Sequence, residues 1–322
     1  MIYAKCMNIK QYLNYASDVL KAANIETPVI EAGVMLCHVL NCNKVYLYSH
    51  DERVLEDNEI KLLNQMLMKR AENVPMQYLV GETEFMSLSF VVSPDVLIPR
   101  QDTEILVEKC IETMNSIMET RLKQEENKNA VIKINGNDKN SDKDICIGHK
   151  SRRVTVLDMC TGSGCIAVSM AHYFPDCSVV ACDVSEDALR IAGINIRRNG
   201  VQGSVTLHHG NLFEALDDEK RFDLIVSNPP YIETSVISEL QNEVKDYEPG
   251  IALDGGQDGL DFYRRIVAEA PEYLNDKGIL AFEIGYNQAE SVSNVMKSKF
   301  QNIRVYKDIS GNDRVIIGQL TA

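Results

Sequence analysis

Val154-Thr155-Val156-Leu157-Asp158-Met159-Cys160-Thr161-Gly162-Ser163-Gly164-Cys165-Ile166-Ala167 is the stretch that decides the fold. Its first five residues form a short apolar run with two β-branched valines, the pattern of a strand buried on both faces. Gly162 and Gly164 then let the backbone turn sharply and approach a ligand closely. A helix follows through Tyr173, and the amides at its start face whatever lies beyond the strand. Outward from this unit the same alternation repeats. Strands are expected at Ser178 to Asp183, Val205 to His209, Phe222 to Ser227 and Gly278 to Glu283, with helices at Ser185 to Asn199, Leu260 to Tyr273 and Gln288 to Phe300. Strand and helix in alternation imply a mostly parallel, doubly wound α/β sheet. The last two strands, Ile303 to Asp308 and Arg314 to Leu320, are joined by a short loop. They must therefore be antiparallel, since a parallel return needs a crossover of a dozen or more residues.

Upstream, residues 9 to 79 read as helical. Apolar residues recur three and four apart at Leu13, Ala16, Leu20 and Ala23, at Val34, Met35, Val39 and Leu40, and at Leu62, Leu63, Met66 and Leu67. Pro28 stands where a second helix would begin. Glu84 to Val92 has β-prone residues in partial alternation and is closed by Ser93-Pro94-Asp95, the signature of a hairpin. A helix from Thr103 to Met118 follows, capped by Thr103 or Asp102. Residues 119 to 153 are rich in Lys, Asn, Asp and Glu and poor in large apolar side chains, so they are expected to form a flexible insertion. The chain then divides into a helical bundle at 1–76, a β-hairpin linker at 77–100, and an α/β domain at 101–322 that carries the insertion.

The 322 residues hold 47 acidic and 33 basic side chains, a formal net charge of −14. Tight binding to a phosphate backbone needs a basic footprint, which this balance disfavours. Nine cysteines are scattered without a Cys-x-x-Cys pair, against both a disulfide framework and a zinc site, and no metal is expected. No secretory signal and no apolar run long enough to cross a membrane is visible. The expectation is a cytoplasmic monomer.

The glycine turn alone is ambiguous, because Gly162-x-Gly164-x-x-Ala167 also satisfies a dinucleotide-binding pattern. Three features favour S-adenosylmethionine instead. Asp158 precedes the turn, where a carboxylate can sit near a cationic methionine end. Asn211-Leu212 follows the third strand, where an adenine can lodge; Asp183, which ends the second strand, can accept from ribose hydroxyls, but an acidic residue does so in dinucleotide folds as well. The fourth strand ends in Asn228-Pro229-Pro230-Tyr231. With the turn residues Cys160, Thr161, Gly162, Ser163 and Gly164, these positions make the candidate cofactor site, which Asn228 also borders. Ligands in open α/β sheets bind beyond the carboxyl ends of the strands, where the Asn-Pro-Pro-Tyr run also lies. Asn228 offers a side-chain carbonyl to an N–H group, Pro229 offers a carbonyl, and Pro229 and Pro230 stiffen the loop. Tyr231 can pack on a flat acceptor. The chemistry this suits is methyl transfer to a planar amide or amino nitrogen, achieved by proximity and orientation. The C-terminal antiparallel pair likewise points to a seven-stranded class I methyltransferase sheet and away from a dehydrogenase.

Across almost its whole length the chain resembles the HemK/PrmC family, N5-glutamine methyltransferases of peptide chain release factors. The resemblance runs from about Tyr12 to Ile317, outside the insertion. It is carried by Pro75-Met76-Gln77-Tyr78-Leu79-Val80-Gly81, Glu84-Phe85, Leu97-Ile98-Pro99-Arg100-Gln101-Asp102-Thr103-Glu104 and Asn228-Pro229-Pro230-Tyr231-Ile232. It continues through Glu248-Pro249 with Ala252-Leu253, Gly255-Gly256-Gln257-Asp258-Gly259-Leu260, Glu283-Ile284-Gly285 and Gly311-Asn312-Asp313-Arg314-Val315. The resemblance implies that the acceptor is the glutamine of the Gly-Gly-Gln loop of class I release factors. Phe85, Arg100, Thr103, Asn228, Tyr231, Glu248 and Pro249 would then serve the substrate, and the helical domain would contact the release factor. Three departures stand out. Cys160 occupies the place of a turn glycine, Leu212 that of an aromatic residue, and Gln101 that of a proline.

The main rival is a nucleic-acid adenine N6-methyltransferase, which shares the acceptor motif and flips its base into the pocket. Residues 217 to 261, around that motif, hold twelve acidic and three basic side chains, which would repel phosphates. A cofactor-binding module without catalysis and a dehydrogenase are the remaining alternatives.

Overall fold

The computed structural model describes residues 7–135, 153–216 and 220–321, with backbone alone for 121–135. The chain forms two compact units. One comprises Met1–Thr83, Val91–Ile98 and Val236–Gly250, the other Glu84–Phe90, Pro99–Ser235 and Ile251–Ala322.

The first unit is helical: α1 (Ile9–Ala22), α2 (Pro28–Leu40), α3 (Lys44–Ser49), α4 (Asp57–Ala71) and α5 (Met76–Val80). Local chemistry sets its boundaries. Asn8 and Gln11 close a reciprocal capping box at the start of α1, with bonds of 2.8 and 3.0 Å. Pro28 opens α2, and Asn41, left-handed at φ 47°, ends it. Ile9, Tyr12, Ala16 and Leu20 on α1, Ala32, Met35 and Leu36 on α2, and Ile60, Leu63 and Leu67 on α4 make one apolar core. Each set recurs at three or four residues, as one helix face requires. Arg70 on α4 is also buried there, donating to Glu31 and, at 2.5 Å, to Glu243. The segment Val236–Gly250, distant in sequence, thus belongs to the helical unit. Tyr247 adds a hydrogen bond of 2.7 Å to the Glu72 carbonyl.

The expected hairpin is present as β1 (Glu82–Phe85) and β2 (Leu88–Val91). Met86 and Ser87 connect them at φ 50° and 56°, the doubly left-handed geometry of the two-residue turn that matches strand twist.

The second unit is a seven-stranded sheet built from β3 (Val154–Met159), β4 (Cys177–Asp183), β5 (Val205–His209), β6 (Phe222–Ser227), β7 (Leu274–Glu283), β8 (Phe300–Lys307) and β9 (Asp313–Leu320). Their order is β5-β4-β3-β6-β7-β9-β8. All neighbours are parallel up to β7, and β9 pairs antiparallel with both β7 and β8. Alternate residues face opposite sides. Val156, Leu224, Val226, Ala281 and Ile317 enter one core with α6 (Gln101–Asn135) and α7 (Cys165–Tyr173). Leu157, Ile225, Leu280, Phe282 and Ile316 enter another with α10 (Asp261–Tyr273) and α11 (Ala289–Met296). Between them in the chain stand α8 (Glu186–Arg198), capped by Ser185, and the four-residue α9 (Asn242–Lys245). In register, Met159 lies beside Cys182 of β4 and Ser227 of β6, and Ser227 beside Phe282 of β7. Four strands therefore end together, and whatever follows each of them gathers at one edge.

Three expectations are corrected. Neither Asp102 nor Thr103 caps α6, which begins at Gln101; the Thr103 hydroxyl is used elsewhere, as described below. The helix also continues past Met118, where it was expected to end, to Asn135. Residues 136–152 of the expected insertion lie outside the described residues. Phe300, expected to end a helix, begins β8, where it is buried and paired with Leu320.

Candidate active site

Three residues within five, Cys160, Gly162 and Gly164, have left-handed backbones at φ 61°, 53° and 79° and carry the chain from β3 into α7. A Cβ on Gly164 would lie 3.1 Å from that of Ala192, so glycine lets α7 and α8 approach. Cys160 holds a left-handed conformation despite its side chain, one that glycine would adopt without strain. The turn is braced by its neighbours. The Thr161 N–H donates to the Cys182 carbonyl at 3.0 Å, and the Asn195 amide to the Ser163 carbonyl at 2.9 Å. Asp183 accepts from the Gly162 N–H and the Ser185 N–H, both at 2.9 Å.

Asp158 is fully buried under the turn. One of its oxygens accepts from the Thr161 hydroxyl at 2.6 Å and the Ala167 N–H at 3.1 Å. The other has no hydrogen-bond partner. Burial, with the charge of Asp183 adding to it, pushes the Asp158 carboxyl up to about 7. Burial likewise raises Asp183. A buried carboxylate with an orphaned oxygen, beside the half-buried carboxylate of Asp183, suits a ligand that carries both positive charge and hydroxyl donors. S-adenosylmethionine carries an ammonium, a sulfonium and a ribose diol, so these residues fit it. After β5, Asn211 accepts from Arg265 at 3.1 Å, and Leu212 is buried with φ 57°.

Beyond β6, Asn228 is half-buried and Pro229 and Pro230 are buried. The Asn228 side-chain amide donates to the Thr103 hydroxyl at 3.3 Å, and Thr103 donates in turn to Glu283 at 2.6 Å. The Tyr231 hydroxyl donates to the other Glu283 oxygen at 3.3 Å. Glu283 ends β7 and is 2% exposed. Burial pushes its carboxyl up to about 6 against the hydrogen bond from Thr103 and the positive charge of Arg314. Burial beside Glu283 also pushes the Tyr231 phenol up, with Arg314 and Arg100 opposing. The loop backbone is clamped from below. Gln288 donates to the Tyr231 carbonyl at 2.9 Å, and Ile232 and Gly255 are bonded through the Leu253 and Ile232 carbonyls. A Cβ on Gly255 would lie 2.7 Å from the Tyr231 Cα, which explains the glycine run that follows the acceptor motif.

The sheet edge thus gathers Asp158, the turn and Asp183 at the ends of β3 and β4, and the Asn228 to Tyr231 run at the end of β6. Thr103 joins Asn228 directly, and Arg100 lies near Tyr231. Phe85 is placed differently, 1% exposed and edge-on to Phe90 in the first core of the sheet unit, so its ring has core contacts on every side. Glu248 and Pro249 belong to the helical unit, where Glu248 is buried. Glu283 and Gln288 are site residues to which no sequence motif assigns a role. Glu283 had one usable signal, a lone carboxylate between Phe282 and Ile284 at the carboxyl end of an apolar strand.

The chain matches the PrmC N-terminal domain over residues 11–81 and the methyltransferase small domain over residues 145–244. It is 38% identical to the release factor glutamine methyltransferase of Geobacter sulfurreducens, over 97% of this chain and 96% of that one. Identity to the release factor glutamine methyltransferase of Clostridium acetobutylicum is 36%, over 97% and 98%. Among solved structures, the hMettl16 catalytic domain, in complex with a 3′UTR hairpin, aligns with a TM-score of 0.51 over 84% of this chain and 85% of that one, at 12% identity. That likeness speaks for the fold, a class I methyltransferase sheet, and the sequence relatives speak for more: the chain belongs to the release factor glutamine methyltransferase family.

Proposed function

We propose that the chain transfers a methyl group from S-adenosylmethionine to the side-chain amide nitrogen (N5) of the glutamine in the Gly-Gly-Gln motif of class I peptide chain release factors, and so modulates translation termination. The observation that carries this reading is the orientation of Asn228. Its amide nitrogen is engaged by Thr103, which leaves the side-chain carbonyl to accept from a substrate N–H. An amide nitrogen is a poor nucleophile because its lone pair is delocalised, so the enzyme's work is to hold it in line with the methyl group. S-adenosylmethionine supplies an activated methyl on a sulfonium that leaves as a neutral thioether. Asn228 and the Pro229 carbonyl take the two amide hydrogens, and Tyr231 bounds the flat group. Asp158 answers the positive end of the cofactor and Asp183 its ribose.

The helical unit is the candidate release-factor contact. It has a cavity of about 420 Å³ lined by His38, Val39, Leu62, Met66, Tyr78 and Leu79 among others. The acidic balance around the acceptor motif speaks against an adenine in nucleic acid as acceptor. Among the described residues no helix is long and apolar enough to cross a membrane. A cytoplasmic monomer without nucleic-acid binding of its own is the working assignment. The test is peptide mass spectrometry of a class I release factor after incubation with the protein and S-adenosylmethionine, beside a DNA control. One added methyl on the Gly-Gly-Gln glutamine is expected. Methyl transfer to DNA adenine, with the release factor unchanged, would overturn the assignment.

A further inference from the structure

We infer that Glu283 is a positioning residue that sets, through the single proton of the Thr103 hydroxyl, which end of the Asn228 amide faces the substrate. The inference rests on the acceptor role assigned to Asn228 above. Its basis is the directionality of three consecutive hydrogen bonds. An ionised carboxylate only accepts, so the Thr103 hydroxyl spends its one proton on Glu283, at 2.6 Å. Towards Asn228 that hydroxyl can then only accept, and the Asn228 amide turns its NH2 to Thr103, at 3.3 Å. The Asn228 carbonyl is left outward, the one polarity that receives a substrate N–H. The Tyr231 hydroxyl donates to the second carboxylate oxygen at 3.3 Å, so one buried group orients both side chains of the acceptor motif.

If Glu283 takes up a proton on the oxygen facing Thr103, the direction of the chain reverses. Thr103 then accepts from Glu283 and donates to Asn228, whose amide must rotate. It would then present N–H to N–H, and the substrate loses its acceptor. The charged and titratable groups around Glu283 are Arg314 on β9, Asp102 on α6, Cys165 on α7, Tyr231 on the acceptor loop and Tyr263 on α10, whose hydroxyl donates to the Glu283 carbonyl at 2.9 Å. Arg314 favours the ionised form, while burial and Asp102 oppose it, and the balance lies at about 6. Below that pH the productive orientation is lost, so turnover should rise with pH through this region.

The experiment compares kcat, KM and the pH profile of the full-length protein with those of Thr103→Val, Thr103→Ser and Glu283→Gln. The acceptor is a release factor. Thr103→Val keeps the shape but removes the relay, and is expected to lower kcat by about 10- to 100-fold with the affinity for S-adenosylmethionine retained. Thr103→Ser returns the hydroxyl and should recover most of that loss. Glu283→Gln leaves the relay proton undirected, which lowers kcat, and has nothing to titrate, so the acid limb near pH 6 should vanish. A wild-type kcat in Thr103→Val, or a limb that persists in Glu283→Gln, would overturn the inference. The Asn228 side-chain ¹⁵N resonance supplies a readout that needs no acceptor. In the wild type it should titrate with the limb, and in Glu283→Gln it should not. A resonance indifferent to pH in the wild type sinks the relay alone. Absence of methyl transfer by the wild type, with the resonance titrating, sinks the functional assignment and leaves the relay standing.

Discussion

Cys160 occupies a left-handed position that a glycine would fill without strain, two residues after the buried carboxylate of Asp158. At this scale, function depends on which polar atoms are satisfied and which are left open. Asn228 has its nitrogen satisfied and its oxygen open, so Asn228→Ala should cut kcat by about 100-fold or more. The affinity for S-adenosylmethionine should stay close to wild type in a calorimetric titration, because the bracing of the turn does not involve Asn228. Parallel loss of both would place Asn228 in the cofactor site instead. Asp158 is the opposite case, a carboxylate whose ionisation is penalised until a cation arrives. Its folded-state ionisation is raised from 3.8 to about 7. The native protein therefore holds a proton that the unfolded chain releases across that window. The stability linked to this group is full below the lower value and is lost as pH rises through the upper one. Without cofactor, the Tm of the wild type should fall from about pH 5 to about pH 8 by more than that of Asp158→Asn. Saturating S-adenosylmethionine should shrink the difference. Parallel Tm curves for the two proteins would show that Asp158 is ionised throughout.

At the scale of elements, strand ends place the chemistry and helices hold them in place. The parallel register of β3 with β4 and β6 brings Asp158, Asp183 and Asn228 to one edge; the parallel sense of these strands was readable from the alternation of strands with helices, but their register was not. The length of α6 was not. Residues 119–135 lack apolar periodicity, yet Glu, Arg, Lys, Gln and Leu are good helix formers, and propensity propagated a helix that had already begun. The start of α6 was misjudged for a different reason. Thr103 has the chemistry of a cap, but its partner is Glu283, 180 positions away, and no local pattern reveals such a bond. The segment Val236–Gly250 is attached in a similar way, through Arg70. Arg70→Ala removes the buried cation shared by Glu31 and Glu243, which are partly exposed and can rehydrate, and should cost roughly 1.5–3 kcal/mol in denaturant unfolding. Hydrogen exchange should also quicken in 242–248. An unchanged exchange rate there would mean that Tyr247 and its neighbours hold the segment without the ion pair.

For the whole molecule, the two compact units make separate demands on a ligand. S-adenosylmethionine is expected to slow hydrogen exchange at 158–167, 183–186 and 227–231 while leaving 9–71 unaltered, since the residues that fit the cofactor all lie in the sheet unit. Equal protection across 9–71 would show that the helical unit takes part in cofactor binding. The linear chain was sufficient for the alternating architecture, the antiparallel end of the sheet, the glycine turn and the acceptor motif. Each of these is written in neighbouring residues, as period, turn chemistry or a run of four. Tertiary structure alone decided that Val236–Gly250 joins the helical unit, that Phe85 turns into the core, and that Glu283, Thr103 and Gln288 stand behind Asn228 and Tyr231. Those outcomes depend on which distant side chains come within about 3 Å of one another. Burial sets how strongly each pair interacts, and neither distance nor burial has a local signature in the chain.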